Sequence, residues 1–203
     1  MHQIIQHIVE VVSVLGYLGI VIMMLLESSF FPFPSEIVII PAGYLAYQGE
    51  MNIFLVILFG ILGSLLGSLL NYYLALYLGK PILLKYGKYI RFTEEKLDKL
   101  ILFFEKHGAF STLIGRLIPG VRQYISFPAG LSKMYIPKFS FFTILGAGIW
   151  VTILAVIGYI VGDNQELIKR YSKEALIYTL IVIVIAVPLY IFINKKRNNV
   201  EES

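Results

Sequence analysis

Cysteine is absent from the 203 residues, which excludes disulfides, cysteine-ligated metals and thiol nucleophiles. Positive charge is absent from the whole first stretch of the chain. The first Lys or Arg is Lys80, and only four acids precede it: Glu10, Glu27, Glu36 and Glu50. Charged residues make up 15% of the chain, against roughly a quarter in soluble domains. With 58% of residues hydrophobic, a soluble fold would lack polar cover for its outside. The composition therefore excludes a soluble domain and points to an integral membrane protein. His2, His7 and His107 are scattered, without HExxH or comparable spacing, so the sequence calls for no metal and no cofactor. Met1-His2-Gln3 is not a basic n-region, and no small-x-small cleavage site follows the first apolar run, so that run is expected to stay in the mature protein.

What is present is apolar sequence in lengths that match a bilayer. Residues 53–78 and 139–161 are uncharged, and each exceeds the roughly 20 residues that cross a bilayer as a helix. Residues 175–193 form a third span with Pro188 near its end, and residues 11–26 a shorter fourth. Two further apolar stretches are rich in helix breakers. Residues 28–49 contain Pro32, Pro34, Pro41 and Gly43; residues 109–132 contain Pro119, Gly120, Pro128 and Gly130, with Arg116 and Arg122 among them. Broken helices tolerate a membrane only where protein or a wet cavity receives their freed backbone groups. Both stretches are expected to be re-entrant helical hairpins; two Pro-kinked full spans are the alternative.

Charge placement favours the hairpins. If each returns to the side it entered, seven basic residues from Lys80 to Lys106 share one side with Lys133, Lys138 and the tail Lys195-Lys196-Arg197. Kinked spans would put that tail opposite the basic loop, against the positive-inside rule. The net charge of +4 then marks a cytoplasmic membrane face rather than a nucleic-acid site. The expected fold is an all-α membrane protein with about four transmembrane helices plus two opposed re-entrant helical hairpins in an inverted repeat. The first repeat covers about 10–79, with its hairpin at 28–49. A basic cytoplasmic loop and surface helix cover 80–108. The second repeat covers 109–161, with its hairpin at 109–132. A last transmembrane helix (175–193) and a cytoplasmic tail (194–203) follow. In the surface helix, Leu97, Leu100, Ile101 and Phe104 share one face, Thr93 suits the start and Gly108 the end. Lying at the interface and docking on the bundle fit that face equally.

The repeat is visible in Pro32…Pro41-Ala42-Gly43 and Pro119…Pro128-Ala129-Gly130, which share an offset of 87 (119 − 32, 128 − 41); Phe54 and Phe141 fall at the same offset. Inverted repeats with broken helices are a common transporter plan, with the binding site between the breaks. The charges at membrane depth segregate. Glu27 and Glu36 lie in the first hairpin, Arg116 and Arg122 in the second, where offset 87 sets Arg116 against Ser29 and Arg122 against Ser35. Such residues cost roughly 2.5–3.5 kcal/mol each to insert, which favours a functional role over a purely structural one. Arg suits phosphate because its planar fork bonds bidentately, and an acid in a half-dry site can take up and release protons. Internal salt bridges pinning the hairpins are the structural alternative. Gly60, Gly63 and Gly67 read as helix packing. Asn71, Tyr72, Tyr73 and Tyr77 read as packing or interface anchors before a polar path, and Trp150 as packing.

These residues together resemble the DedA family, also called the SNARE-associated or VTT-domain family. The matching blocks are Glu27-Ser-Ser-Phe-Phe-Pro32-Phe-Pro34-Ser-Glu36, Pro41-Ala-Gly43, Gly63-x-x-x-Gly67 with Tyr72 and Gly79-Lys80, then Phe103-x-x-x-x-Gly108, Gly115-Arg116-Leu-Ile-Pro119-Gly-Val-Arg122, Pro128-Ala-Gly130, Met134, Phe139, Gly146 and Trp150. They cover about residues 15–160. Ser35 stands where many members have Gly before the acid, and Ser68 where an acid is common. The resemblance implies opposed re-entrant hairpins and lipid translocation in a bacterial plasma membrane; the positive-inside count adds a multi-pass chain with both termini cytoplasmic. Its implied cargo is undecaprenyl phosphate or a phospholipid, and it marks Glu27, Arg116 and Arg122 as functional.

The expectation is a non-enzymatic flippase for a phosphate-bearing lipid, with Arg116 and Arg122 on the headgroup and Glu27 and Glu36 coupling or gating with protons. A phospholipid flippase or scramblase (for phosphatidylethanolamine, say) and a non-transporting scaffold are the rivals. A phosphatase of the His-nucleophile type is disfavoured because His107 lacks a second His partner. The expected partners are an anionic or polyprenyl-phosphate lipid and the membrane, without nucleic acid; a homo-oligomer is compatible.

Overall fold

The structure is a computed structural model describing residues 2–29, 34–79, 81, 94–118, 120–161, 174, 177, 181, 184, 185, 188 and 190. Among the described residues six α-helices are delimited, in order: α1 (His2–Glu27), α2 (Glu36–Tyr47), α3 (Ile53–Leu74, extended by a π-helical turn Ala75–Gly79), α4 (Glu94–Leu117), α5 (Ser126–Leu131) and α6 (Ile136–Val161). Among the described residues there is no strand. The basic loop at 82–93, Thr93, the tail, most of 175–193, and Pro32 and Pro119 lie outside the described residues.

Among the described residues two helices are long and apolar enough to cross a membrane, Ile53–Gly79 (27 residues) and Ile136–Ile160 (25 residues). At 1.5 Å per residue each reaches well past a hydrocarbon core of about 30 Å. Asn52 starts the first: its side-chain oxygen accepts from the amides of Phe54 (2.9 Å) and Leu55 (3.4 Å). Its faces are inverted relative to a soluble helix. Phe54, Leu58, Leu62, Leu66 and Leu70, four apart, are exposed, whereas Gly60, Gly63, Ser64, Gly67, Ser68 and Asn71 are buried. Small residues inside and large apolar ones outside are what lipid as solvent selects.

α4, with 24 residues, is comparably long but carries charges through its first half; the remaining elements are short or broken. α1 breaks at Gly16, whose φ of 56° and ψ of −133° suit only glycine, leaving a helical segment from Tyr17 to Glu27. A first break is bounded by Ser28 and Ser29, which leave the helix after Glu27, and by Pro34 and Ser35, which precede the next. α2 then has 12 residues, about 18 Å or little more than half a bilayer core. In the second half, a break formed by residues 118 and 120–125 separates the end of α4 from α5, with Gly120 in it at φ 80°.

The breaks are not all where the sequence suggested. Pro34 and Gly120 lie in them, but Pro41 and Gly43 are inside α2, and Pro128 and Gly130 inside α5. Pro128 is in the first turn, where its missing N–H has no helical partner to lose. Pro41 removes only the bond to the Ile37 carbonyl, and the helix continues. The glycines serve contact: a Cβ on Gly43 would lie 2.3 Å from the Ala155 carbonyl oxygen, and one on Gly130 2.2 Å from that of Tyr72. Gly108 does not end a surface helix either. α4 continues through it to Leu117, and the glycine gives room to Met134, whose Sδ lies 3.3 Å from where a Cβ would be. The apolar face of α4 docks on the bundle: Leu97 packs with Ala75 and Leu131, and Phe104 with Tyr72, Met134 and Phe139.

The two halves make equivalent contacts. Gly63 of α3 meets the Val21 carbonyl and the Met24 side chain of α1; Gly146 of α6 meets the Leu113 carbonyl and the Arg116 side chain of α4. The long helices therefore correspond at an offset of 83 (146 − 63), which also relates their starts, Ile53 and Ile136, and the residues Tyr72 and Ala155 under the paired glycines. This corrects two pairings drawn at offset 87. Phe54 matches Pro137 rather than Phe141, because the stretch from Gly130 to the start of the long helix at Ile136 is four residues shorter than that from Gly43 to Ile53. Arg116 takes the place of Met24 rather than Ser29 (116 − 24 = 113 − 21 = 92). α3 and α6 run antiparallel, with Gly60 against Val151 at one level and the Tyr72 and Phe139 rings 5.0 Å apart at another. Each short helix packs on the long helix of the other half, α2 on α6 and α5 on α3.

Candidate functional site

The breaks bring three of the four anticipated charges together. Glu27 ends α1 and is 2% exposed. Its Oε1 pairs with Nη2 of Arg122, from the other break, and its Oε2 accepts from Ser28 Oγ at 2.9 Å. The guanidinium carbon of Arg122 lies 5.7 Å from the centre of the Trp150 ring, within cation–π range. Trp150 is itself fixed by donating from Nε1 to Ser35 Oγ at 3.2 Å.

Arg116, at the end of α4, is 3% exposed and is held differently. Its Nη2 donates to Ser68 Oγ of α3 and, at 3.4 Å, to Ser126 Oγ of α5. Ser68 in turn donates to the Ser64 carbonyl. Nε of Arg116 has no hydrogen-bond partner among the described residues. A buried cation held only by hydroxyls is costly without an anion. Glu27, Arg116 and Arg122 line one small cavity with Met24, Ser28, Ser64, Ala147, Trp150 and Val151. One carboxylate between two guanidiniums leaves a formal charge of +1. The open volume is about 10 Å³, room for roughly one water.

Glu36 is not in this cluster. It opens α2, and its Oε2 is enclosed without a hydrogen-bond partner among the described residues. The expected pair of acids facing a pair of arginines is thus one acid with two arginines. Trp150, read from sequence as packing, is a wall of the cavity. Ser28, Ser35, Ser68 and Ser126, which hold the charged side chains or the wall, carried no signal as serines; Ser35 and Ser68 stood out only as departures from the resembled family, Ser35 replacing a Gly and Ser68 an acid. Among the described residues no group of three or more His, Cys, Asp or Glu is placed to hold a metal.

An all-helical chain with apolar outer faces and a buried charged cluster where two helix breaks meet is a membrane protein with an internal polar site. Residues 33–160 match the VTT domain, and the chain belongs to that family, the DedA family. It is 31% identical over 189 residues to the uncharacterized membrane protein YkoX of Bacillus subtilis, covering 93% of this chain and 84% of the relative. It is 30% identical over 197 residues to undecaprenyl phosphate transporter A of the same organism, covering 97% of each. It is 31% identical to an alkaline phosphatase-like protein of Lactococcus lactis, covering 94% of this chain and 95% of the relative. No solved structure matches the chain.

Proposed function

We propose that this protein is a transporter that moves a phosphate-bearing lipid across a bacterial plasma membrane, with the phosphate on Arg116 and Arg122 and the tail in lipid. The observation that carries this is Arg116: a buried guanidinium whose hydrogen-bond partners among the described residues are hydroxyls, beside a second Arg, leaves one carboxylate for two guanidiniums. A phosphate monoester carries nearly two negative charges at neutral pH and accepts bidentate bonds from such forks. The relative named undecaprenyl phosphate transporter A supports a polyprenyl phosphate as cargo.

The breaks are the tips of two re-entrant hairpins, and the halves form an inverted repeat across antiparallel α3 and α6; α2 and α5 are short arms, whereas α4 reaches the second tip as one 24-residue helix. Alternating access then means rocking one half against the other around the arginines. Glu27 is the gate. Ionised, it occupies Arg122; protonated, it releases that guanidinium to the phosphate, which couples flux to protons. Glu36, away from the cluster, is a secondary proton site. In liposomes, Glu27→Gln should flatten the pH dependence of flux, and a pH profile like that of the unmodified protein would remove the coupling.

Substrate class is tested by reconstituting the purified protein and following the sidedness of labelled polyprenyl phosphate, the uncharged polyprenol and phosphatidylethanolamine. Polyprenyl phosphate should move fastest, and polyprenol at the protein-free rate. Equal acceleration of all three would indicate a scramblase without headgroup recognition, and acceleration of none a scaffold.

A further inference from the structure

Asn71 stands on α3 three residues beyond Ser68 and is 4% exposed. Its amide nitrogen faces three backbone carbonyls: Ser28 at 3.2 Å, Ser29 at 3.1 Å and Gln123 at 3.2 Å. The first two follow Glu27 in one break; the third follows Arg122 in the other. An amide oxygen there would face three acceptors, so the surroundings dictate that the nitrogen end points at them. A side-chain amide has two hydrogens, so three carbonyls oversubscribe it. Carbonyls freed by a broken helix in a membrane must be satisfied within the protein, and Asn71 does this for both breaks at once.

The cavity beneath has room for roughly one water, at about 10 Å³. A phosphate is larger, so the breaks have to separate to admit one. We propose that Asn71 is the latch between the two breaks: its amide ties the carbonyls beside Glu27 to the carbonyl beside Arg122, and the site opens when it lets go of one break. Oversubscription makes release cheap. Leaving Gln123 keeps both hydrogens on the Ser28 and Ser29 carbonyls, and water entering the opening cavity can satisfy the Gln123 carbonyl. The opening step rests on the transporter reading above; the tie between the breaks does not.

Because the chain has no cysteine, Ser29→Cys with Gln123→Cys supplies the only thiols. The protein, reconstituted in liposomes, is treated with a short bifunctional thiosulfonate, and the intramolecular link is quantified by intact mass. Asn71→Ala should lower the yield at a fixed early time about fivefold, as loss of a net hydrogen bond would. Asn71→Asp should do the same when ionised, and recover at acid pH, where its carboxyl again donates a hydrogen; Asn71→Ala should not recover. Equal yields with and without Asn71, or no link in the protein that keeps it, would overturn the latch. In the same liposomes the linked protein should stop moving polyprenyl phosphate and resume on reduction; full flux while linked would overturn the opening step. If the unlinked protein moves no polyprenyl phosphate but its yield still depends on Asn71, the transporter reading fails and the tie stands.

Discussion

Arg116 and Arg122 are held by unlike partners, and substitutions should separate them. Arg122 has a carboxylate and an aromatic face; Arg116 has hydroxyls. Glu27→Ala strips Arg122 of its counter-ion and should destabilise the protein by about 3–5 kcal/mol, as breaking a buried pair does. Glu27→Gln keeps a hydrogen-bond acceptor and should cost clearly less; thermal midpoints in detergent measure both. Ser68→Asp would give Arg116 a carboxylate and bring the site from +1 to neutral. It is expected to raise the thermal midpoint while weakening binding of a phosphate lipid. Tighter phosphate-lipid binding in Ser68→Asp would mean that the unpaired charge of Arg116 is not what attracts the headgroup. Sequence exposed the charged residues because charge is conspicuous in an apolar chain. Their holders were hidden: Ser and Asn have many roles, and only the fold shows Asn71 facing both breaks.

Helices in this protein meet through missing side chains. A Cβ at Gly43 or Gly130 would lie within 2.3 Å of a backbone carbonyl oxygen, which has no rotamer by which to yield. Gly43→Ala and Gly130→Ala should each cost about 1–3 kcal/mol through overpacking. Gly148→Ala meets only Ile61 Cδ1 at 3.4 Å and should be near neutral, so thermal midpoints of the three should separate into two groups. An equal loss at Gly148 would mean that close approach does not set the cost. These glycines also explain where sequence misled. Pro and Gly signal breaks by default, yet Pro41-Ala42-Gly43 and Pro128-Ala129-Gly130 are helical, selected for close contact with the opposite half. Gly108 was taken for a stop on the same rule. The long spans were legible because length and apolarity survive any packing. The offset between halves was legible only within the hairpins, since unequal links shift the long helices by a turn.

At the scale of the molecule, the paired contacts give two halves that swap their short helices, and the charged cluster lies where the halves meet. The re-entrant arrangement proposed above implies that Lys88 and Asn199, both outside the described residues, share the cytoplasmic side. Single cysteines at those positions, probed with a membrane-impermeant thiol reagent in intact cells and in lysed ones, should both react only after lysis. Labelling of one but not the other in intact cells would mean full spans. The most direct measurement concerns the phosphate itself. Polyprenyl phosphate is placed in the outer leaflet of proteoliposomes, and a phosphatase added outside reports how much remains accessible over time. The wild-type protein is expected to withdraw the phosphate from the enzyme. The double variant Arg116→Lys, Arg122→Lys, which keeps both charges but loses both planar forks, should withdraw it at close to the protein-free rate while still inserting and folding. Withdrawal by the double variant at the wild-type rate would contradict a headgroup site built from these two arginines.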